Sequence, residues 1–105
     1  MPADEEPHYD LELVKQLVEC GRFRVTSSAM RDAGELCLDQ SDIAECIEAL
    51  SIADFYKTMP ADSKPGLHQD VYRPLFAGFQ LYLKLQITRW LVSTDEVVVI
   101  SFKKK

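Results

Sequence analysis

The hydrophobic pattern of this chain changes period once, near residue 60, and that switch restricts the fold more than any other feature. Upstream, apolar residues recur at helical spacing. Leu13, Val14, Leu17 and Val18 form a stripe on a first segment that starts at Leu11, and Gly21 suits its C-cap. Phe23-Arg24-Val25 is a short extended stretch. Any of Thr26-Ser27-Ser28 can cap a second helix running to about Leu36. Ser41 with Asp42 opens a third segment that places Ile43, Cys46, Ile47 and Leu50 on one stripe. Ser51-Ile52-Ala53-Asp54 reads as another cap, followed by a short helical turn through Tyr56 that stops before Pro60.

Met59 to Gly66 carries two prolines and a glycine and reads as a loop. Beyond it the period becomes two. Gln69 to Phe76 is a first strand, with Pro74 marking a bulge or an edge, and Gly78 marks a turn. Gln80 to Ile87 alternates leucine and isoleucine on one face with Gln, Tyr, Lys and Gln on the other. Ser93-Thr94-Asp95 supplies the next turn, and Glu96 to Lys103 is a third strand rich in β-branched residues. Helices followed by an antiparallel meander predict an α+β fold in which N-terminal helices cover one face of a three-stranded antiparallel sheet. With 105 residues there is room for one core. Residues 1–10 read as a flexible acidic N-terminus and 11–105 as a single domain.

Charge and cysteines narrow the function classes. The net charge of −5 speaks against a nucleic-acid binder until the chain is divided. Residues 1–55 hold 4 Lys/Arg against 13 Asp/Glu, whereas residues 56–105 hold 8 Lys/Arg against 4 Asp/Glu. An acidic half thus precedes a basic one. Cys20, Cys37 and Cys46 make an odd number without a CxxC motif, and all three read as small buried hydrophobes in a reducing, cytoplasmic setting. No apolar run approaches a membrane span, and the acidic start lacks the layout of a secretion signal. His8 and His68 have no neighbours at metal-ligand spacing. There is no phosphate-binding glycine loop or serine elbow. No metal and no cofactor is expected.

A different constellation is visible on the strands. Tyr82 and Lys84 share one face of the central strand, Gln69 and Arg73 share a parity on the first, Lys103 ends the third, and Lys57 lies just before the sheet. Metal-free RNA cleavage by the ribose 2′-hydroxyl calls for such a set. Fixed cations stabilise the charge that builds on the phosphate, a lysine or a tyrosine moves protons, glutamine binds phosphate or a base edge, and tyrosine stacks on a base. Read from the residues alone, the same pattern also fits a solvated sheet face.

Four ordered segments carry a resemblance: Ala53 to Met59, Gln69 to Pro74, Gln80 to Leu85, and Val99 to Lys104. Together with Val14 to Val18, Gly21, and Ala33 to Asp39, they closely resemble the MqsR family of mRNA interferase toxins, in register over nearly the whole chain. The resemblance implies a RelE-like fold and ribosome-independent cleavage of single-stranded mRNA at short GC-led sequences. It also implies control by an MqsA-like antitoxin, with any DNA recognition left to that partner. By position in the matching motifs, the implied site is Lys57, Gln69, Tyr82 and Lys103. Lys57 and Lys103 would hold phosphate charge, Tyr82 would transfer protons or stack, and Gln69 would position the substrate. Tyr56, Arg73 and Lys84 are further candidates for substrate binding. The chain departs from the family in its acidic first half, in His68 where an aromatic is expected, and in a longer Thr88–Glu96 turn. Trp90 and Leu91 would form an apolar tip there, read as core packing or as a partner surface. The alternative class is a catalytically silent module that keeps the antitoxin contact or binds RNA without cutting it.

Overall fold

The computed structural model describes residues 6–61, 64–91 and 94–105. Three nine-residue helices come first: α1 (Leu11–Glu19), α2 (Ser27–Glu35) and α3 (Gln40–Glu48). Each starts on a side chain that accepts an otherwise orphaned backbone N–H. Asp10 accepts from Glu12, Thr26 from Ala29, and Asp39 from Asp42. At α3 the cap is reciprocal, because the Asp42 carboxylate accepts from the Asp39 N–H at 2.9 Å. The helix therefore opens at Asp39 rather than at Ser41.

The strands are β1 (Phe23–Val25), β2 (Phe55–Pro60), β3 (His68–Tyr72), β4 (Leu75–Phe76), β5 (Phe79–Leu91) and β6 (Thr94–Lys104). Their order is β1-β6-β5-β3-β2, with β4 pairing only with β5. β1 runs parallel to β6, and the other pairs are antiparallel. The α+β architecture is as expected and consistent with a RelE-like arrangement, but the sheet has more strands than the three-stranded meander read from the sequence. Two of the additions come from segments too short to show a period. Phe23–Val25 joins the sheet beside Val97–Val99. The expected helical turn through Tyr56 shrinks to a 3-10 turn at Ile52–Asp54, and Phe55 onward, rich in β-forming residues, pairs with β3. Pro74 splits the expected first strand. It has no N–H to give to a ladder, and its carbonyl instead accepts from Leu81 at 2.9 Å. Of the expected Ser93–Asp95 turn, Ser93 lies outside the described residues and Thr94 and Asp95 already belong to β6. The side chains of Trp90 and Leu91 also lie outside the described ones.

The helices cover one face of the sheet. Val14, Val18, Ala29, Ala33, Ile43, Cys46, Ile47 and Leu50 pack against Tyr72, Leu81, Leu83, Leu85, Val97, Val99 and Phe102. Asp70 is fully buried on this side and accepts from the backbone N–H of His8 at 3.0 Å and of Tyr9 at 2.9 Å. The Tyr9 hydroxyl donates to the His68 carbonyl, and the His8 and His68 rings stack at 4.0 Å. Within the segment 1–10, residues 1–5 lie outside the described residues, and these contacts bring the chain onto the sheet just before Asp10 caps α1.

Of the three cysteines only Cys46 is buried. Cys20 is the C-cap of α1, and Cys37 follows α2 at a φ of 62°, so both stand at exposed helix ends rather than in the core. Burial pushes the Cys46 thiol up to about 12, and burial likewise raises the phenols of Tyr72 and Tyr9 above their ordinary range. These shifts favour the protonated forms in the folded state. Their contribution to stability is complete below pH 9, where the unfolded thiol is still protonated, and is lost as pH rises through the folded value near 12. Urea melts between pH 8 and 11 should show stability falling from pH 9 upward. At pH 8 a thiol reagent should modify Cys20 and Cys37 and spare Cys46 until the chain is unfolded.

Candidate functional site

The sheet face turned away from the helices carries the polar residues singled out above, and two β-bulges decide which ones. In β5, Leu81, Leu83 and Leu85 point into the core, so Tyr82, Lys84 and Gln86 point outward. Tyr82 sits opposite Lys103, and Lys84 opposite Ser101. On its other side Lys84 faces Val71 of β3, and Val71 in turn faces Lys57 of β2. Residues directly opposite on paired strands share a face. Lys57, Val71, Lys84 and Ser101 therefore form one row across four strands, with Tyr82 and Lys103 one step along.

Neither Lys57 nor Lys103 would reach this face on a regular strand. In β6, Val97 and Val99 lie in the core, and strict alternation would send Ser101 and Lys103 inward after them. Instead the register shifts between Leu85, opposite Val99, and Lys84, opposite Ser101. Ile100 is the extra residue. Phe102 then turns into the core at full burial, and Lys103 turns out. The same device recurs in β2. Phe55 pairs with Tyr72 and packs against the core, while Lys57 pairs with Val71. Tyr56 is extra, so the lysine two residues after a core phenylalanine points to the opposite side.

Aromatic rings lie beside these cations. The Lys103 Nζ stands 5.5 Å from the Tyr82 ring centre. The Arg73 guanidinium lies 4.2 Å from the centre of the Tyr56 ring, and the Lys57 Nζ approaches the same ring at 5.6 Å. Gln69 donates from Nε2 to the Gln86 Oε1 at 2.8 Å. All seven residues singled out from the sequence thus lie on or at the edge of one face: Lys57, Arg73 and Tyr56 at the β2 side, Tyr82 and Lys103 at the β6 side, with Lys84 and Gln69 between. Lys57, Tyr82 and Lys84 are half-buried, and Lys103 is exposed.

Adjacent strands are about 4.8 Å apart and alternate residues about 7 Å apart along a strand. The amino groups consequently span roughly the width of one or two phosphates. Such a surface can hold an anionic chain, neutralise charge developing on it, and stack a base. Among the described residues no group of three or more His, Cys, Asp or Glu is placed to hold a metal ion. A second cleft, bordered by Glu6, Asp10 and Glu12 beside Leu50 and Ile52, has the wrong sign for a phosphate chain. Sequence reasoning missed Gln86 and Ser101. The outward parity of Gln86 was visible, but nothing in the alternation distinguished it from an ordinary surface polar, and Ser101 faces outward only because of the bulge.

The chain matches the family described as motility quorum-sensing regulator, toxin of MqsA, over residues 6–104. It belongs to that family. The mRNA interferase toxin MqsR of Escherichia coli (strain K12) is 41% identical over 99 residues, which cover 94% of this chain and 95% of that protein. Both bulged strands, β2 and β6, and all the site residues fall within the matched range of the MqsR toxin family. No helix among the described residues is long and apolar enough to cross a membrane.

The bulges carry a direct expectation. Deleting Ile100 should remove the bulge and leave a regular strand, with Val99 and Phe102 still facing the core and Lys103 still facing outward. That deletion should therefore cost less than the roughly 3–5 kcal/mol of a buried Phe→Ala change. Ile100→Ala, which keeps the extra residue, should cost about 1–2 kcal/mol or less. Urea denaturation of both variants beside Phe102→Ala checks this order, with Phe102→Ala the least stable of the three.

Proposed function

We propose that this chain is the toxin of a type II toxin–antitoxin pair, an endoribonuclease that cuts single-stranded mRNA in the cytoplasm without a metal ion or the ribosome. The observation that carries the reading is the row of cations on the helix-free face, where Lys57 and Lys103 reach the same side as Tyr82 only because of the two bulges. Membership of a toxin family that includes an mRNA interferase supports it.

In this mechanism a ribose 2′-hydroxyl oxygen attacks the adjacent phosphorus. The P–O2′ bond forms as the P–O5′ bond breaks, leaving a 2′,3′-cyclic phosphate and a 5′-hydroxyl. One proton leaves the 2′-oxygen and one reaches the departing 5′-oxygen. Lys57 and Lys103 stabilise the charge on the non-bridging oxygens, in the place a metal ion would otherwise take. Tyr82, beside Lys103, moves a proton or stacks on a base. Gln69 positions the strand, and Lys84, Arg73 and Tyr56 extend the binding surface along it. Short GC-led sequences are the expected targets. An MqsA-like antitoxin is the expected inhibitor, and any operator binding belongs to that partner.

The test is cleavage of a single-stranded RNA by purified protein in EDTA, comparing wild type with Lys57→Ala and Tyr82→Ala. Each substitution should lower the rate by about a hundredfold or more, with the folded state confirmed by an unchanged far-ultraviolet spectrum. RNA left intact at high enzyme excess would instead identify a silent module that retains only the antitoxin contact.

A further inference from the structure

Beside the row of lysines the same face opens into a groove of about 590 Å³, bordered by Lys64, Leu67, Gln69, Gln86, Thr88 and Ile100. One wall is a chain of polar side chains. Gln69 Nε2 donates to Gln86 Oε1 at 2.8 Å, and Gln86 Nε2 donates to Thr88 Oγ1 at 2.8 Å. Gln86 is only 8% exposed, and with Asp70 it makes up the buried polar residues among those described. A buried amide is costly unless fully bonded, and an apolar residue would suit a buried strand position better. Its presence is accounted for by what it does to Gln69.

A free glutamine amide can rotate by half a turn and exchange its donor for its acceptor. It then reads a donor–acceptor edge in either order. Gln86 engages one N–H of Gln69, which keeps that amide from turning by itself and leaves its carbonyl oxygen and remaining N–H for a ligand. Each nucleobase edge presents its donors and acceptors in a fixed order. The lock turns a tolerant contact into a discriminating one. Leu67 and Ile100 supply apolar walls for a flat ring, and Lys64 supplies a cation for the adjoining phosphate. Gln69 belongs to both the groove and the cleavage face, which puts the groove about one nucleotide from the lysine row.

We propose that this groove binds a nucleobase flanking the cleaved phosphate, and that Gln86, backed by Thr88, is a positioning residue that fixes the orientation of Gln69. The inference rests on the RNA-cleavage reading above and adds its specificity pocket.

The experiment measures kcat/KM on two RNAs, one with the preferred sequence and one with the base beside the cut replaced. The ratio between them is compared for wild type, Gln86→Leu, Thr88→Val and Gln86→Glu, with the thermal midpoint of each. Gln86→Leu should lower the ratio by about tenfold, and Thr88→Val by less. Gln86→Glu should keep it, because a carboxylate still accepts from Gln69 Nε2 and from the Thr88 hydroxyl. A purely structural role would give the reverse order, since a buried carboxylate disturbs folding more than a leucine does. An unchanged ratio in Gln86→Leu, or a collapse in Gln86→Glu that tracks its melting, would overturn the assignment. A second arm uses an RNA with hydrogen in place of the 2′-hydroxyl at the cut and follows the side-chain amide resonances of Gln69 and Gln86. Both should shift on titration. If wild-type protein cuts no RNA, the cleavage reading has failed, and these resonances still decide the groove: shifts uphold it, and their absence overturns it.

Discussion

The register of the β5–β6 ladder, with its interruption at Ile100, is the constraint on which both the core and the site depend. From Leu81 opposite Lys104 to Leu91 opposite Thr94, this pairing forms the spine of the sheet. β1 attaches to one side of it, and β3 with β2 to the other. A one-residue slip on either strand exchanges every inward side chain for an outward one. Here a one-residue bulge is used at a chosen point, so that Val97 and Val99 above it and Phe102 below it all enter the core while Lys103 leaves it. The bulge at Tyr56 does the same for Phe55 and Lys57 on the far edge. Stability and chemistry are thereby tied together: the hydrophobic residues that hold the sheet to the helices fix where the lysines point.

That arrangement also explains how an acidic chain can present a cationic face. The negative excess resides in residues 1–55, which supply the helices and the first strand, whereas the strands from β3 onward come from the basic half. Helices cover one side of the sheet and the lysine row lies on the other. Solvent screening within about 8–10 Å separates the two at physiological ionic strength. Long-range attraction for RNA is weak in such a molecule, and the local field at the row retains its sign. In the proposed function, recognition then depends on contacts at the face itself, including the amide pair of Gln69 and Gln86.

Much of the fold was legible because it is written in periods. The stripe of Ile43, Cys46, Ile47 and Leu50 and the alternation of Gln80 to Ile87 each describe one face of one element. The cap at Thr26 uses local chemistry of the kind that sequence displays, whereas the third helix opens two residues before Ser41, where the side chains of Asp39 and Asp42 cap each other's backbone. β1 and β2 were harder because three to six residues are too few for a period, and their pairing is a tertiary event. Cys20 and Cys37 were misplaced because helix ends, not residue type, set their exposure. The bulges were invisible: Val97 to Phe102 is nearly all apolar, so nothing marks where the alternation breaks. Residue chemistry and the family resemblance brought Lys57, Gln69, Tyr82 and Lys103 forward. Gln86 emerged only from its burial and its bonded neighbours.

In the proposed reaction this face directs a ribose 2′-hydroxyl at its own phosphate without a metal ion. Chemical analysis of RNA ends after incubation in EDTA tests it most directly, using matched substrates with a hydroxyl or a hydrogen at the 2′ position of the cut site. The proposed reaction leaves 5′-hydroxyl ends paired with 2′,3′-cyclic or 3′-phosphate ends, and makes no cut in the substrate that lacks the hydroxyl. Products bearing 5′-phosphates, or cleavage of the 2′-hydrogen substrate at the same position, would contradict it.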